Sequence, residues 1–151
     1  MKASLIIIGN EILSGRTQDK NLSYLANWLN EIGIQLTEVR VIRDEEDVIV
    51  ETVNHLRKTY DYVFTTGGIG PTHDDITSES IAKAFSVDLE INQGALSILK
   101  EYYKDGELTE ARMKMTKMPV GSELIENPVS RAPGFKMGNV FVLSLIHISE
   151  P

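Results

Sequence analysis

A glycine-rich segment that ends in two aspartates is the part of the chain best suited to chemistry. It reads Thr65-Thr66-Gly67-Gly68-Ile69-Gly70-Pro71-Thr72-His73-Asp74-Asp75-Ile76-Thr77. Glycines let backbone N–H groups come close to an anionic ligand. The two carboxylates would repel a bare phosphate, so they favour a divalent metal, or a hydroxyl that needs a base, between them and the ligand. The segment therefore predicts a ligand site at Gly67, Gly68 and Gly70.

The residues on either side of this segment place it between a strand and a helix. The run from Asp61 to Thr66 is short and mostly apolar, as is typical of a buried β-strand. Thr77 before Ser78 predicts the capped start of a helix. Such strand-to-helix crossovers are where open α/β sheets bind their ligands. A tight turn with positive φ at Gly67 and Gly68 is the simpler alternative.

Strands and helices alternate along the first half of the chain. Apolar residues recur at helical spacing in some segments and alternate, or run together, in others. The segments predict strands at 5–8, 34–42, 61–66 and 139–143, and helices at 19–32, from 44 past Leu56, from 77, at 93–103 and at 109–118. This order predicts an α/β domain with a mostly parallel sheet and helices on both of its faces.

Composition narrows the class of protein. The 151 residues, 42% of them hydrophobic, suffice for one domain with its own core. The absence of cysteine excludes disulfides and thiolate metal sites. A net charge of −7, from 22 acidic against 15 basic residues, argues against broad contact with nucleic acid. The apolar run at the amino terminus is too short to span a membrane. We expect a cytoplasmic protein whose partner is a small molecule, with no nucleic acid and no membrane among its partners.

Three stretches of the chain carry a family resemblance. They are residues 8–16 (Ile-Gly-Asn-Glu-Ile-Leu-Ser-Gly-Arg), residues 65–77, and residues 127–135 (Asn-Pro-Val-Ser-Arg-Ala-Pro-Gly-Phe). Together they resemble the molybdopterin-binding domain of the competence/damage-inducible protein A (CinA) family over residues 1–143. That domain is similar to the MogA/MoaB proteins of molybdenum-cofactor biosynthesis. The resemblance implies a three-layer α/β/α fold with a mostly parallel sheet, and a homo-oligomer of the trimeric MogA/MoaB kind.

The resemblance also implies a ligand and two candidate reactions. The ligand would be molybdopterin or an adenine nucleotide, bound with Mg²⁺ or another divalent cation. MogA-type members adenylylate molybdopterin, whereas CinA-type members have been linked to metal-dependent pyrophosphate hydrolysis of ADP-ribose-like compounds. Three classes of function stay open: an enzyme of Mg²⁺-dependent pyrophosphate chemistry, a non-catalytic pterin- or nucleotide-binding module, and an oligomerising interaction domain with a vestigial pocket.

Specific residues take roles from the resemblance. Asp44 and Asp75 match its catalytic aspartates, and Asp74 with Asp75 would hold the metal. The predicted ligand-binding residues are Gly9, Asn10, Glu11, Thr66, Gly67, Gly68, Gly70, Thr72, Ser130 and Arg131.

Several of these residues have simpler alternatives. Asp44 lies in an acidic quartet, where it could only favour a helix N-terminus. Asp74 could be a solvated neighbour of Asp75, and Glu11 could begin a surface turn. His73 could be an acid, a base or a metal ligand, or a solvated loop residue.

The carboxyl-terminal residues depart from the family pattern. CinA-like domains continue the last strand into a glycine- and proline-containing loop, whereas this chain has Ser-Leu-Ile-His-Ile-Ser-Glu-Pro at 144–151. We expect the domain, residues 1–143, to be truncated and residues 144–151 to be a non-native tail. A source gene that encodes these residues in its own frame would contradict this expectation.

Overall fold

The structure is a computed structural model, and it describes residues 1–15, 19, 21–104, 106–125 and 133–143. Its strands are β1 (Lys2–Ile8), β2 (Gln35–Ile42), β3 (Tyr62–Thr66), β4 (Leu89–Ile91), β5 (Lys117–Pro119), β6 (Glu123–Ile125), β7 (Gly134–Met137) and β8 (Val140–Leu143). Its helices are α1 (Asn10–Leu13), α2 (Asn21–Glu31), α3 (Glu46–Thr59), α4 (Thr77–Ala84), α5 (Gln93–Tyr102) and α6 (Glu110–Lys114).

A six-stranded sheet of order β2-β1-β3-β8-β7-β6 organises the domain. The pairs β1–β2, β1–β3 and β3–β8 are parallel, while β7 pairs antiparallel with β8 and with β6. The carboxyl ends of β2, β1, β3 and β8 therefore lie side by side at one edge of the sheet. The predicted α/β fold with a mostly parallel sheet is confirmed.

Hydrophobic side chains fill a core on each face of the sheet, so the fold has three layers. On one face, Ile6 and Ile8 of β1 pack in a cluster with Ile49, Val53 and Leu56, which are fully buried on α3. On the other face, Leu5 of β1 belongs to a second cluster that includes residues of α2. The helical spacing of the apolar residues in α3 thus predicted its buried face correctly.

Four predicted helices are shorter in the structure, although α3, which begins at Glu46 instead of 44, and α5, which ends at Tyr102 instead of 103, differ little. The first, predicted at 19–32, spans Asn21–Glu31. Leu25 and Leu29 are fully buried, but Leu22 is 36% exposed at the start of the helix. The helix predicted at 109–118 ends at Lys114.

A small second sheet explains why the latter helix ends early. Met118 does not continue the helix but pairs with Glu90, in the antiparallel sheet of β4 and β5. Met118 is 2% exposed and belongs to the core beside α3. The core therefore takes the apolar side chain from a strand instead of a helix, which periodicity over so few residues could not distinguish.

None of the described helices is long and apolar enough to cross a membrane.

Candidate functional site

The predicted site residues that the structure describes lie at or near the carboxyl ends of adjacent parallel strands. Gly9 and Asn10 follow β1, Asp44 follows β2, and Gly67 and Gly68 follow β3. Because these strands are neighbours in the sheet, segments far apart in sequence come together there. Ligand sites of open α/β sheets form in this position.

Two hydrogen bonds join the ends of β1 and β2. The Asn10 backbone N–H donates to Asp44 Oδ2 at 3.1 Å, and the Asp44 backbone N–H donates to Asn10 Oδ1 at 3.3 Å. The Gly9 N–H donates to the Ile42 carbonyl at 3.0 Å in the same place. Asp44 therefore precedes α3 without being part of it, and the carboxylate is held against the amino end of α1. Asp44 is thus not the first acid of α3, its carboxylate contacts the amino end of α1, and its catalytic role stays a prediction.

The glycine segment makes a sharp turn against β1 and α4. Gly67 has φ +93° and Gly68 has φ +76°, so both adopt the left-handed region that favours glycine. A Cβ on Gly67 would lie 2.2 Å from the Ile8 carbonyl oxygen, and one on Gly68 would lie 2.0 Å from Thr77 Oγ1. The tight-turn alternative is therefore correct for these two glycines. It does not compete with ligand binding, since the turn also brings their backbone to the strand ends.

Thr77 has a different role from the one predicted. The residue that caps α4 is Ile76, without a side-chain cap. The Thr77 hydroxyl instead donates to the Gly67 carbonyl at 3.0 Å, and its N–H donates to the Gly68 carbonyl at 3.0 Å. Thr77 is fully buried and fixes the glycine turn to the start of the helix.

Asp75 is held by a compact turn after the glycines. Its Oδ2 accepts hydrogen bonds from the Thr72 backbone N–H at 2.9 Å and from the Thr72 hydroxyl at 2.7 Å. A Cβ on Gly70 would lie 2.8 Å from the same oxygen, so glycine at that position makes room for the carboxylate. Thr72 and Gly70 thus serve to place Asp75.

Asp74 and His73 differ from Asp75 in exposure. Their side chains are 78% and 93% exposed, and His73 Nε2 lies 3.3 Å from Asp74 Oδ1. Both residues therefore border the solvent. The two interpretations of Asp74, as a metal ligand and as a solvated neighbour of Asp75, both stay predictions.

Negative charge accumulates around Asp44. Burial raises the pKa of the Asp44 carboxyl, the Asn10 hydrogen bond opposes this, and the charges of Glu11, Asp75 and Asp74 raise the pKa further. The two predicted catalytic aspartates are thus close enough to repel each other across the strand ends. Another negative group brought into this region would be repelled by these carboxylates.

The raised pKa of Asp44 predicts a gain in stability for Asp44→Asn. An aspartate whose pKa is raised on folding favours the folded state when protonated. That contribution is complete below the unfolded pKa and is lost as the pH rises through the folded pKa. Asp44 is half-exposed, so solvent screens its charge and keeps the effect small. We expect Asp44→Asn to raise the free energy of unfolding at pH 7 by roughly 0.5 kcal/mol. Urea unfolding of the unliganded protein measures it.

The same substitution at low pH is the control for this effect. Below the ordinary aspartate pKa of about 3.9, wild type and variant carry the same charge at this position, so their stabilities should converge. A gain of equal size at low pH would show that the introduced asparagine packs or hydrogen-bonds better, and that charge repulsion is not the cause.

The hydroxyl of Thr66 is a further polar group at the strand ends. It is buried and has no hydrogen-bond partner within the part of the chain that the structure describes. Buried hydroxyls are usually hydrogen-bonded, and an exception often marks a functional position. The hydroxyls of Ser4 and Thr65 are buried in the same way, so the ligand-binding role of Thr66 stays a prediction.

The arrangement of carboxylates among the described residues determines how a divalent cation would fit. They contain no group of three or more His, Asp or Glu side chains arranged to hold a metal ion. Mg²⁺ in phosphate-handling sites is commonly held by one or two carboxylates, with substrate oxygens and water completing its shell. The carboxylates around Asp44 suit that arrangement and not an all-protein cage.

A cleft of about 730 Å³ opens on the α6 side of the glycine segment. Both Gly70 and Asp75 line it, opposite Met113 and Lys114 of α6 and Lys117 of β5. Cavities of roughly 300–1,000 Å³ hold small molecules and cofactors. The sequence did not predict this cleft, because its walls come from segments that only the fold brings together.

Two predicted ligand contacts, Ser130 and Arg131, lie outside the described residues, as does the predicted tail at 144–151. These predictions stay open. Glu11 lies in α1 with its carboxylate beside Gly9, where a Cβ would lie 2.6 Å from Glu11 Oε1. Since the charge of Glu11 also acts on Asp44, it belongs to the same acidic region.

Comparison with known proteins agrees with this fold. A family described as "Probable molybdopterin binding domain" matches residues 4–145. The crystal structure of CinA of unknown function from Thermoplasma acidophilum superimposes with a TM-score of 0.89 at 39% identity, covering 97% of this chain and 89% of that one. The chain therefore belongs to the family of probable molybdopterin binding domains, as a CinA-like member. This membership supports a general role in binding a small pterin-type ligand.

Further relatives show how far the similarity extends. A CinA-like protein from Sulfurihydrogenibium is 42% identical over 137 residues, which cover 89% of this chain and 34% of the relative. A Thermoplasma acidophilum protein is 42% identical over 132 residues, 87% of this chain and 52% of the relative. The chain thus spans about half, or less, of these relatives. A tungsten cofactor synthesizing protein MoaB from Pyrococcus furiosus shares the fold alone, at 19% identity and TM-score 0.58 over 97% of this chain and 84% of that one.

Proposed function

We propose that the glycine turn and the adjoining cleft bind an adenine nucleotide or molybdopterin through its phosphates. We further propose that Asp44 and Asp75 support Mg²⁺-dependent chemistry at the phosphoanhydride, with hydrolysis of ADP-ribose-like compounds ranked above adenylyl transfer to molybdopterin. The observation that carries the proposal is electrostatic. The charges of Glu11, Asp74 and Asp75 all act on Asp44 at the end of β2, and the glycine turn follows β3 at the same edge of the sheet.

The turn supplies the part of the site that receives phosphate. Backbone around Gly67 and Gly68 lies next to the amino end of α4, where unpaired N–H groups and the helix dipole favour an anion. The Thr77 hydrogen bonds hold this backbone in place before a ligand arrives. Little ordering would therefore be needed on binding, which favours affinity.

The carboxylates supply the part of the site that handles charge. Asp44 and Asp75 come from different strand ends and would hold Mg²⁺ jointly with phosphate oxygens. The bound ion would neutralise charge that develops on the phosphoanhydride. Asp75 has one oxygen occupied by Thr72, so its Oδ1 is the atom available to the metal or to a nucleophilic water.

The cleft supplies room for the rest of the ligand. Apolar residues of its walls, Ile69, Leu89 and Met113, suit the face of a ring, and Lys117 supplies positive charge at the rim. Because Gly70 and Asp75 line the same cleft, a molecule that extends from the turn would enter it.

A non-catalytic binding module is the second candidate. The absence of a preformed three-ligand metal group among the described residues favours it, since such a module needs only the turn and the cleft. The relatives that are about twice as long also leave room for chemistry to be carried out by another part of the protein.

Calorimetry with ADP-ribose tests the proposal. We expect ADP-ribose to bind at least about tenfold more tightly with Mg²⁺ than without it, because the cation relieves repulsion between phosphate and carboxylate. The same titration with AMP gives the contribution of the ribose 5-phosphate part of ADP-ribose. Release of AMP and ribose 5-phosphate then measures hydrolysis.

Each outcome of this experiment decides between the candidates. Mg²⁺-dependent binding with AMP release supports the enzyme, and binding without turnover supports the module. If neither ADP-ribose, AMP nor ATP binds at millimolar concentration with Mg²⁺ or Co²⁺, nucleotide binding is wrong, and molybdopterin is the ligand left to test.

We also propose that the chain forms homo-oligomers, as the trimeric MogA/MoaB pattern implies. The exposed apolar residues of the first two helices and the turn after them support this, since Leu13, Trp28 and Ile32 are 51%, 45% and 53% exposed. Light scattering at several protein concentrations tests it, and a monomer at every concentration would contradict it.

A further inference from the structure

We propose that Lys114 is a positioning residue that orders the turn carrying Asp75. Lys114 lies in α6, 42 residues from that turn, and its Nζ donates a hydrogen bond to the Thr72 carbonyl. Thr72 in turn donates two hydrogen bonds to Asp75 Oδ2. A continuous chain of contacts therefore runs from α6 to the carboxylate. The inference rests on the proposed function for its catalytic consequence only.

The Thr72 carbonyl is the centre of this chain of contacts. It also accepts the Asp75 backbone N–H at 3.2 Å. Thr72 thus contacts both the backbone and the side chain of Asp75, and Lys114 fixes Thr72 from outside the turn. A charged donor strengthens such a hydrogen bond relative to a neutral one.

The turn needs an external contact because it is otherwise exposed. Residues 71–74 are all exposed to solvent, and the side chains of His73 and Asp74 are 93% and 78% exposed. Exposed segments with few buried contacts open at low free-energy cost. An unanchored turn would spread the Asp75 carboxylate over several positions.

Lys114, in contrast, has a rigid backbone. The next two residues, Met115 and Thr116, are 5% and 0% exposed, and the Thr116 hydroxyl donates to the Met113 carbonyl at 2.7 Å. The Thr116 carbonyl accepts the Asn92 N–H at 2.7 Å, which ties this segment to the start of α5. The side chain of Lys114 therefore reaches the turn from a fixed point.

The contact also defines the geometry of the cleft. Lys114 lines the cleft from α6, and Gly70 and Asp75 line it from the glycine segment. The Lys114–Thr72 hydrogen bond bridges these two walls. It thereby couples the wall that would contact the ligand to the carboxylate that would act on it.

Hydrogen exchange in the unliganded protein tests the ordering directly. We expect Lys114→Met to speed exchange of the Thr72 and Asp75 amides about tenfold, because each amide donates within the turn that the lysine holds. Lys114→Arg keeps a charged donor and should restore most of the protection. Unchanged exchange at both amides in Lys114→Met would overturn the proposal.

Lys117→Met is the matched control. It removes the same charge from the same cleft, but the Thr72 carbonyl hydrogen bond comes from Lys114 and stays. Exchange at Thr72 and Asp75 should therefore keep its wild-type rate in Lys117→Met. Equal acceleration in both variants would mean that cleft charge, and not the hydrogen bond, orders the turn, and would refute the assignment.

Kinetics with Mg²⁺ and ADP-ribose separate this proposal from the proposed function. Lys114→Met should lower kcat about tenfold with little change in KM, since it disorders a carboxylate that acts in the transition state. Lys117→Met should act mainly on KM. If wild type shows no turnover, the proposed enzyme fails, and the exchange experiment still decides whether Lys114 orders the turn.

Discussion

Gly67→Ala is expected to lower the free energy of unfolding by about 3 kcal/mol, a large part of the roughly 5–15 kcal/mol of a typical domain. The φ of +93° disfavours any L-residue, and the new Cβ would lie 2.2 Å from the Ile8 carbonyl oxygen. That oxygen belongs to β1, which pairs with β2 on one side and β3 on the other. The strand cannot move away without disturbing the centre of the sheet. Urea unfolding measures the loss.

Gly33→Ala is the control that separates backbone strain from steric overlap. Gly33 has φ +84°, close to that of Gly67, but a Cβ there meets nothing within 4 Å. The control should therefore cost only the conformational part, about 1 kcal/mol. If Gly67→Ala were no more destabilising than Gly33→Ala, the close approach of the glycine turn to β1 would be wrong.

Gly67→Ala and Gly33→Ala should also differ in ligand binding. A Gly67→Ala protein that still folds must shift the backbone at the end of β3, where the phosphate site is proposed. ADP-ribose binding should then weaken more than in Gly33→Ala, in which the strand ends keep their geometry. Stability and binding measured on the same two variants distinguish a turn that only supports the fold from one that also receives a ligand.

The sequence predicted the part of the fold that depends on local periodicity. Apolar residues at helical spacing located the buried face of α3, and the apolar run at 62–66 located β3. The order of strands and helices then implied the parallel sheet, because parallel strands need a crossover connection. The glycines after β3 marked the turn, since few other residues adopt positive φ there.

The short antiparallel strands had no such signal. In β4, β5 and β6 there are three residues each, less than the length over which alternation becomes visible. Each forms through pairing with a partner strand, so tertiary structure decides its conformation. The spacing of Met118 therefore predicted a helix, whereas its pairing with Glu90 puts it in a strand.

The sequence pointed to the residues of the candidate site but not to the contacts among them. The crossover after β3 pointed to the glycines and to Asp75, and the family resemblance pointed to Asp44. The hydrogen bonds between Asn10 and Asp44 join residues 34 apart, and the one between Lys114 and Thr72 joins residues 42 apart. No motif encodes such pairs, because the fold brings them together.

Asp75→Asn is expected to lower the rate of ADP-ribose hydrolysis at least about 100-fold while the protein stays folded. The substitution removes the negative charge that would hold Mg²⁺ or orient a water. An asparagine oxygen can still accept the hydrogen bonds that Thr72 donates at 2.9 and 2.7 Å, so the turn should keep its shape. The measurements are kcat at saturating Mg²⁺ and the Mg²⁺ concentration that gives half of the maximal rate.

Asp74→Asn is the matched control for the role of charge. It removes one carboxylate from the adjacent position, but this side chain is 78% exposed and lies beside His73. If Asp75 binds the metal and Asp74 does not, Asp74→Asn should change the rate less than about threefold, in line with a screened surface charge. If both aspartates bind it, both variants should raise the Mg²⁺ requirement.

Asp75→Asn and Asp74→Asn together therefore test whether Asp75 positions the water or binds the metal. A loss confined to kcat in Asp75→Asn, with an unchanged Mg²⁺ requirement, would assign Asp75 to positioning the water and leave the metal to Asp44. A raised Mg²⁺ requirement would assign Asp75 to the metal, because the loss of a metal ligand weakens Mg²⁺ binding. Full activity in Asp75→Asn would contradict both roles, and the carboxylates at the strand ends would then serve binding alone.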